Sequence, residues 1–167
     1  MARIYLAGFD VFRRDALAHG RYLRQLCQAC GLDAQYPLDN RLPPGLAGQG
    51  AAHWVCEQNL AMLKASDAVL ANLGPFRGQE PDSGTVFETG VAVALGKPVW
   101  AYFEPAGTLR EQVAHDAQGF DRQGNYVEDF NLPRNLMLAC TWAGYSDSAE
   151  EAVVHLAAWL KAMGCRR

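Results

Sequence analysis

The chain has 167 residues, half of them hydrophobic and 20% charged, with a net charge of −3. That composition excludes intrinsic disorder, and the length predicts a single domain over 1–167 that buries about two-thirds of its unfolded surface. No apolar run approaches the ~18–20 residues of a membrane span, and without a cationic excess neither a membrane nor nucleic acid is an expected partner.

Arg3 to Gly8 is a short apolar run closed by glycine and reads as a buried first strand. Apolar residues then recur at helical spacing from Arg13 to Cys30, and Gly31 supplies the stop. Leu32 to Tyr36 is a weaker strand, and the Gly/Pro-rich stretch from Pro37 to Gly50 reads as loop. Helical periodicity returns from His53 to Ala65, followed by a third strand, Ala68 to Ala71. After the loop Asn72 to Pro81, Asp82 or Ser83 suits a helix N-cap ahead of a helix over Val86 to Leu95. Gly96-Lys97-Pro98 ends it, Val99 to Phe103 is a fourth strand, and Ala149 to Met163 is a closing helix. The polar segment Glu104 to Asn131 shows no fifth strand between Gly107 and Tyr126. Alternating strands and helices imply an α/β fold, a mainly parallel sheet with helices on both faces, whose ligand crevice lies beyond the carboxyl ends of the strands.

Five cysteines (Cys27, Cys30, Cys56, Cys140 and Cys165) and a start, Met1 to Gly8, without a secretory layout predict reduced thiols in a cytoplasmic protein. Cys27 and Cys30 form a lone C-x-x-C on a helical face, with no further zinc ligands at suitable spacing, so no metal site is expected. The four histidines show no ligand spacing and read as surface or helix-face residues.

The sharpest segment is Asp82-Ser83-Gly84-Thr85-Val86-Phe87-Glu88. Gly84 permits close backbone approach at a helix start, where free N–H groups favour an anion or a polar ligand. Glu88 sits about one and a half turns in, where the helix dipole is expected to help hold it ionised. A fixed, ionised carboxylate is what attack on an oxocarbenium-like sugar carbon requires. Taken singly, Asp82 also reads as a plain N-cap and Glu88 as a solvated helix carboxylate.

Several strings in register resemble the nucleoside 2-deoxyribosyltransferase family: Tyr5-Leu6-Ala7-Gly8, Asp67 to Gly78, Glu80 to Gly90, Gly96-Lys97-Pro98, and Val127-Glu128-Asp129-Phe130 with Asn135-Leu136-Met137-Leu138. The resemblance implies a flavodoxin-like fold and a double displacement on 2′-deoxynucleosides with free nucleobases as acceptors, without a cofactor. It implies Glu88 as the nucleophile, Tyr5 as the residue that positions it, and Asp82 as an acid binding sugar hydroxyls. Asn135, with Met137 beside it, would reach the sugar from a neighbouring subunit of a homo-oligomer with shared active sites. Phe12 would form an aromatic wall over the base, and Gly84 would line the substrate. Asn59 stands where some members place an aspartate near the base, so protonation of the leaving base would fall to Asp82 or water.

Two other functions fit these residues. A 2′-deoxynucleoside 5′-monophosphate N-glycosidase of the same fold would use Arg13 and Arg14 for phosphate, although Asp10 would repel it. A non-catalytic nucleoside-binding module would have no need for the combination of Tyr5, Asp82 and Glu88.

Overall fold

The computed structural model describes residues 1–104 and 107–164. Five parallel strands lie in the order β2-β1-β3-β4-β5, the flavodoxin-like order. They are β1 (Ala2–Gly8), β2 (Leu32–Gln35), β3 (Ala68–Asn72), β4 (Val99–Tyr102) and β5 (Gly144–Ser146). The helices are α1 (Ala16–Ala29), α2 (Gly48–Ala65), α3 (Ser83–Ala94), α4 (Leu109–Gln112), α5 (Leu136–Ala139) and α6 (Ala149–Gly164).

Side chains alternate across the pleat, and the central strands use both faces. Ile4, Leu6 and Leu70 pack with Leu23 and Cys27 of α1 and Val153 and Leu156 of α6. Tyr5, Val69, Ala71 and Val99 pack on the other face with Leu63 of α2, Ala92 of α3 and Leu138 of α5. Each large aliphatic side chain fully buried there contributes about 1.5–3 kcal/mol. Two-sided burial is why β1 and β3 read as continuous apolar runs.

Four segments differ from the sequence reading. A 3₁₀ turn, Phe9–Phe12, precedes α1, which starts only at Ala16. The stretch after β2 is not all loop, because Pro37–Asp39 forms a second 3₁₀ turn and α2 begins at Gly48. The fifth strand is Gly144–Ser146, a three-residue edge strand with no apolar run to announce it. Between Gly107 and Tyr126 the chain forms α4 and then two tight turns in which the Asp116 and Asp121 carboxylates accept from backbone N–H groups two and four residues ahead.

Cys27, Cys30, Cys56 and Cys140 carry free thiols, and burial pushes the Cys27 thiol up to about 12; Cys165 lies outside the described residues. No described helix is long and apolar enough to cross a membrane.

The chain reverses its winding between β1 and β3, where Gly8 and Asn72 end side by side. Two crossovers diverge from that point and leave a crevice beyond the strand ends.

Candidate active site

The crevice holds a cavity of about 420 Å³. Its carboxylates come from the start of α3. Asp82 is the N-cap of that helix, its Oδ2 accepting from the Thr85 backbone N–H at 3.0 Å and the Thr85 hydroxyl at 3.1 Å. Oδ1 of Asp82 accepts no hydrogen bond among the described residues, so capping occupies only one of its two oxygens. Gly84 gives the carboxylate its room, since a Cβ there would lie 3.0 Å from Asp82 Oδ2.

Glu88 lies on the same flank of α3 and lines the cavity. Tyr5, fully buried on β1, donates its hydroxyl to Glu88 Oε1 at 2.5 Å. Burial pushes the Glu88 carboxyl up to about 7; the Tyr5 bond opposes that rise and the Asp82 charge adds to it. The help expected from the helix dipole in holding the carboxylate ionised is outweighed, because Glu88 lies beyond the first turn, where the dipole acts, and desolvation is the larger effect. Burial and the neighbouring Glu88 charge hold the Tyr5 hydroxyl far above its ordinary range, so it stays a neutral donor.

The opposite walls are apolar and aromatic: Val11 and Phe12 from the first 3₁₀ turn, Leu38 and Leu42 from the segment after β2, and Trp54 and Val55 from α2. Asn59 on α2 lines the cavity, its Oδ1 accepting from Asn40 Nδ2 at 3.4 Å. Asp82 and Glu88 are the only ionisable side chains on the lining among the described residues. Phe12 is 60% exposed and stacks on Phe76 at 5.4 Å, which stacks on Phe9 at 5.2 Å.

Six predicted residues thus converge: Glu88, Tyr5, Asp82, Gly84, Phe12 and Asn59. Asn135 and Met137 do not join them within one chain. They line an apolar groove between α5 and the other flank of α3, formed there by Val86, Gly90 and Val93. Asn135 caps α5, its Oδ1 accepting from Met137 N–H at 3.0 Å, and its amide donates to Glu128; the Met137 side chain stands 69% exposed.

One sequence reading changes. Asp10 does not face the cavity; it is 3% exposed and bonded to Asn72 and Tyr102. His19 and His155 lie on helices α1 and α6, where His19 Nε2 is 3.2 Å from Asp10 Oδ1 and His155 meets the Ser146 hydroxyl at 2.9 Å. Asn40 and Trp54 were missed as lining residues. The helical spacing of α2 was a usable signal for the second, because Val55 lies one turn before Asn59 and Trp54 adjoins it; Asn40, in an irregular segment, offered none.

The family model for nucleoside 2-deoxyribosyltransferase matches residues 4–137. Among solved structures, a 2-desoxiribosyltransferase from Leishmania mexicana is 33% identical, with TM-score 0.75, over 95% of this chain and 98% of that one. A 2-deoxyribosyltransferase from Bacillus psychrosaccharolyticus shares the fold at 22% identity and TM-score 0.61, covering 91% of this chain and 90% of its own. The 5-hydroxymethyl-dUMP N-hydrolase of Mus musculus is 31% identical over 94 residues, 56% of this chain and 51% of that protein. The chain thus spans about half the length of the curated relatives it matches. With the family model covering most of the chain and a full-length structural match, this protein belongs to the nucleoside 2-deoxyribosyltransferase family.

Proposed function

We propose that this chain transfers 2-deoxyribose from a 2′-deoxynucleoside to a free nucleobase by double displacement at Glu88, in the cytoplasm and without a cofactor. The observation that carries the reading is the 2.5 Å bond from Tyr5 to Glu88 at the wall of a cavity large enough for a nucleoside. Tyr5 fixes one carboxylate oxygen and leaves Oε2 to attack. The oxygen bonds to C1′ as the C1′–N bond breaks, and the electron pair departs on the base, which takes its proton from Asp82 or water. A nitrogen of the second base then attacks C1′ and loses its proton to solvent. The C1′–O bond breaks, its pair returns to Glu88, and the configuration is retained overall. Asp82 Oδ1 serves the sugar hydroxyls, while Phe12 and Trp54 enclose the base.

Asn135 and Met137 act from a neighbouring copy in a homo-oligomer. Their groove on the far flank of α3 and the exposed Met137 side chain support this reading.

A second reading is hydrolysis of deoxynucleoside 5′-monophosphates, favoured by the mouse relative and by the burial of Asp10, which takes a repelling charge away from the cavity. Against it, no lysine or arginine lines the cavity among the described residues, and Arg13 is paired with Asp15 at 2.9 Å on the surface. Incubation with deoxyinosine, with and without adenine, tests both. Deoxyadenosine formed only with adenine supports transfer. Hypoxanthine release that ignores adenine, or that requires the 5′-phosphate form of the substrate, overturns it.

A further inference from the structure

Behind the cavity lies a buried ionisable side chain that the chemistry above does not use. Asp10 sits in the 3₁₀ turn Phe9–Phe12, and its carboxylate collects partners from three elements. Oδ2 accepts from Asn72 Nδ2 at 2.9 Å and from the Tyr102 hydroxyl at 3.1 Å, at the ends of β3 and β4. Oδ1 faces His19 Nε2 of α1 at 3.2 Å. Gly8 makes room for this arrangement, because a Cβ there would lie 2.7 Å from Asp10 Oδ2 and 2.8 Å from Asn72 Cβ.

A buried carboxylate with several partners adds little net stability over an apolar substitute, since desolvation offsets the attraction. What these bonds set is geometry. They pin the turn that carries Phe9 and Phe12 against the ends of the strands. Through Asn72 they also reach the loop after β3, because Asn72 Oδ1 accepts from the Gly74 backbone N–H at 3.1 Å. That loop holds Phe76, whose ring stacks with both Phe9 and Phe12, with the Arg77 guanidinium 4.6 Å from its centroid. Arg77 takes a left-handed backbone, φ +55°, to close the loop. The loop ends at Asp82, the cap of α3. One carboxylate therefore sets both halves of the aromatic stack whose outer ring is a cavity wall.

We propose that Asp10 is a positioning residue for the Phe12 wall and, through it, decides whether the second acceptor is a nucleobase or water. The proposal rests on the deoxyribosyl-transfer reading. A base stacked on Phe12 is held over C1′, whereas with the wall displaced water takes the base's place: its oxygen bonds to C1′, the C1′–O bond to Glu88 breaks with the pair returning to the carboxylate, and the proton passes to solvent.

The test uses Asp10→Ala, Asp10→Asn and Phe76→Leu in the full chain, each checked for a cooperative thermal transition. Asp10→Asn keeps an oxygen for Tyr102 and Asn72. Three readouts are taken: the KM for adenine as acceptor, the ratio of transfer to hydrolysis, and adenine binding by calorimetry. Stacking on one aromatic face accounts for about a tenfold change in affinity. Asp10→Ala and Phe76→Leu should raise the adenine KM and Kd about tenfold and shift products toward free deoxyribose, with Asp10→Asn near wild type. A folded Asp10→Ala with wild-type adenine affinity and product ratio overturns the proposal. If wild type itself exchanges no base, the transfer reading falls, and crystals of Asp10→Ala (or of Phe76→Leu, should the first not fold) still decide the positioning claim. A Phe12 ring found in its wild-type position refutes it, and a displaced ring supports it.

Discussion

Tyr5 and Glu88 stand 83 residues apart in the chain and 2.5 Å apart in the fold, phenol to carboxylate. The tyrosine comes from β1, an interior strand, and the glutamate from α3, so the bond has a rigid element at each end. Replacing Glu88 by Gln keeps an oxygen for Tyr5 and removes the nucleophile. Exchange is expected to fall by at least ~10³-fold with the thermal transition retained, followed as deoxyadenosine formed from deoxyinosine and adenine. Turnover close to wild type would take Glu88 out of the mechanism.

Tyr5→Phe removes a bond that favours the ionised carboxylate. The Glu88 carboxyl should rise further, moving the acid limb of kcat/KM to higher pH. At neutral pH the loss should be about 10- to 100-fold, the scale of a hydrogen bond to a charged group. A pH profile identical to wild type would show that the phenol does not act through Glu88.

The carboxyl near 7 has a consequence for activity and an opposite one for stability. Attack needs the ionised form, so kcat/KM should be halved at about pH 7 and fall about tenfold per unit below it. For stability the sign reverses. A carboxyl raised by folding contributes stability that is fully present below its unfolded value and is lost as pH rises through the folded value. Glu88→Gln should therefore melt a few degrees above wild type at pH 8 and level with it at pH 4. A higher Tm at pH 4 than at pH 8 for the variant relative to wild type would contradict the desolvated carboxyl.

Asn135→Ala and Glu88→Ala should each be poorly active alone. Mixed and reassembled, they should recover roughly a quarter of wild-type activity if each site takes Asn135 from a neighbour in reciprocal pairs. No recovery on mixing, with exchange of subunits shown by mass, would place the whole site within one chain.

Much of the fold was legible because β1, β3 and β4 are buried on both faces and so appear as apolar runs, while α3 and α6 keep helical periodicity. The strand Gly144–Ser146 was not legible, since three residues at a sheet edge are specified by pairing with Trp100 to Tyr102 rather than by their own pattern. The start of α2 was hidden because Gly48 and Gly50 argue locally for loop, and its first turn is exposed, so no buried apolar face announces it. At the site, Asp82 and Glu88 stood out because a capping signal and helical spacing put both on one flank of α3. Asp10 was misread because nothing in its neighbours reveals that Asn72 and Tyr102, 62 and 92 residues away, supply its partners.

That same separation governs when the pocket can exist during refolding. Asp10 meets Tyr102 only after β1, β3 and β4 have been laid side by side, so the site has high contact order and no local fragment can preassemble it. Recovery of catalytic competence after dilution from denaturant should then lag the early helical signal and coincide with closure of the central sheet.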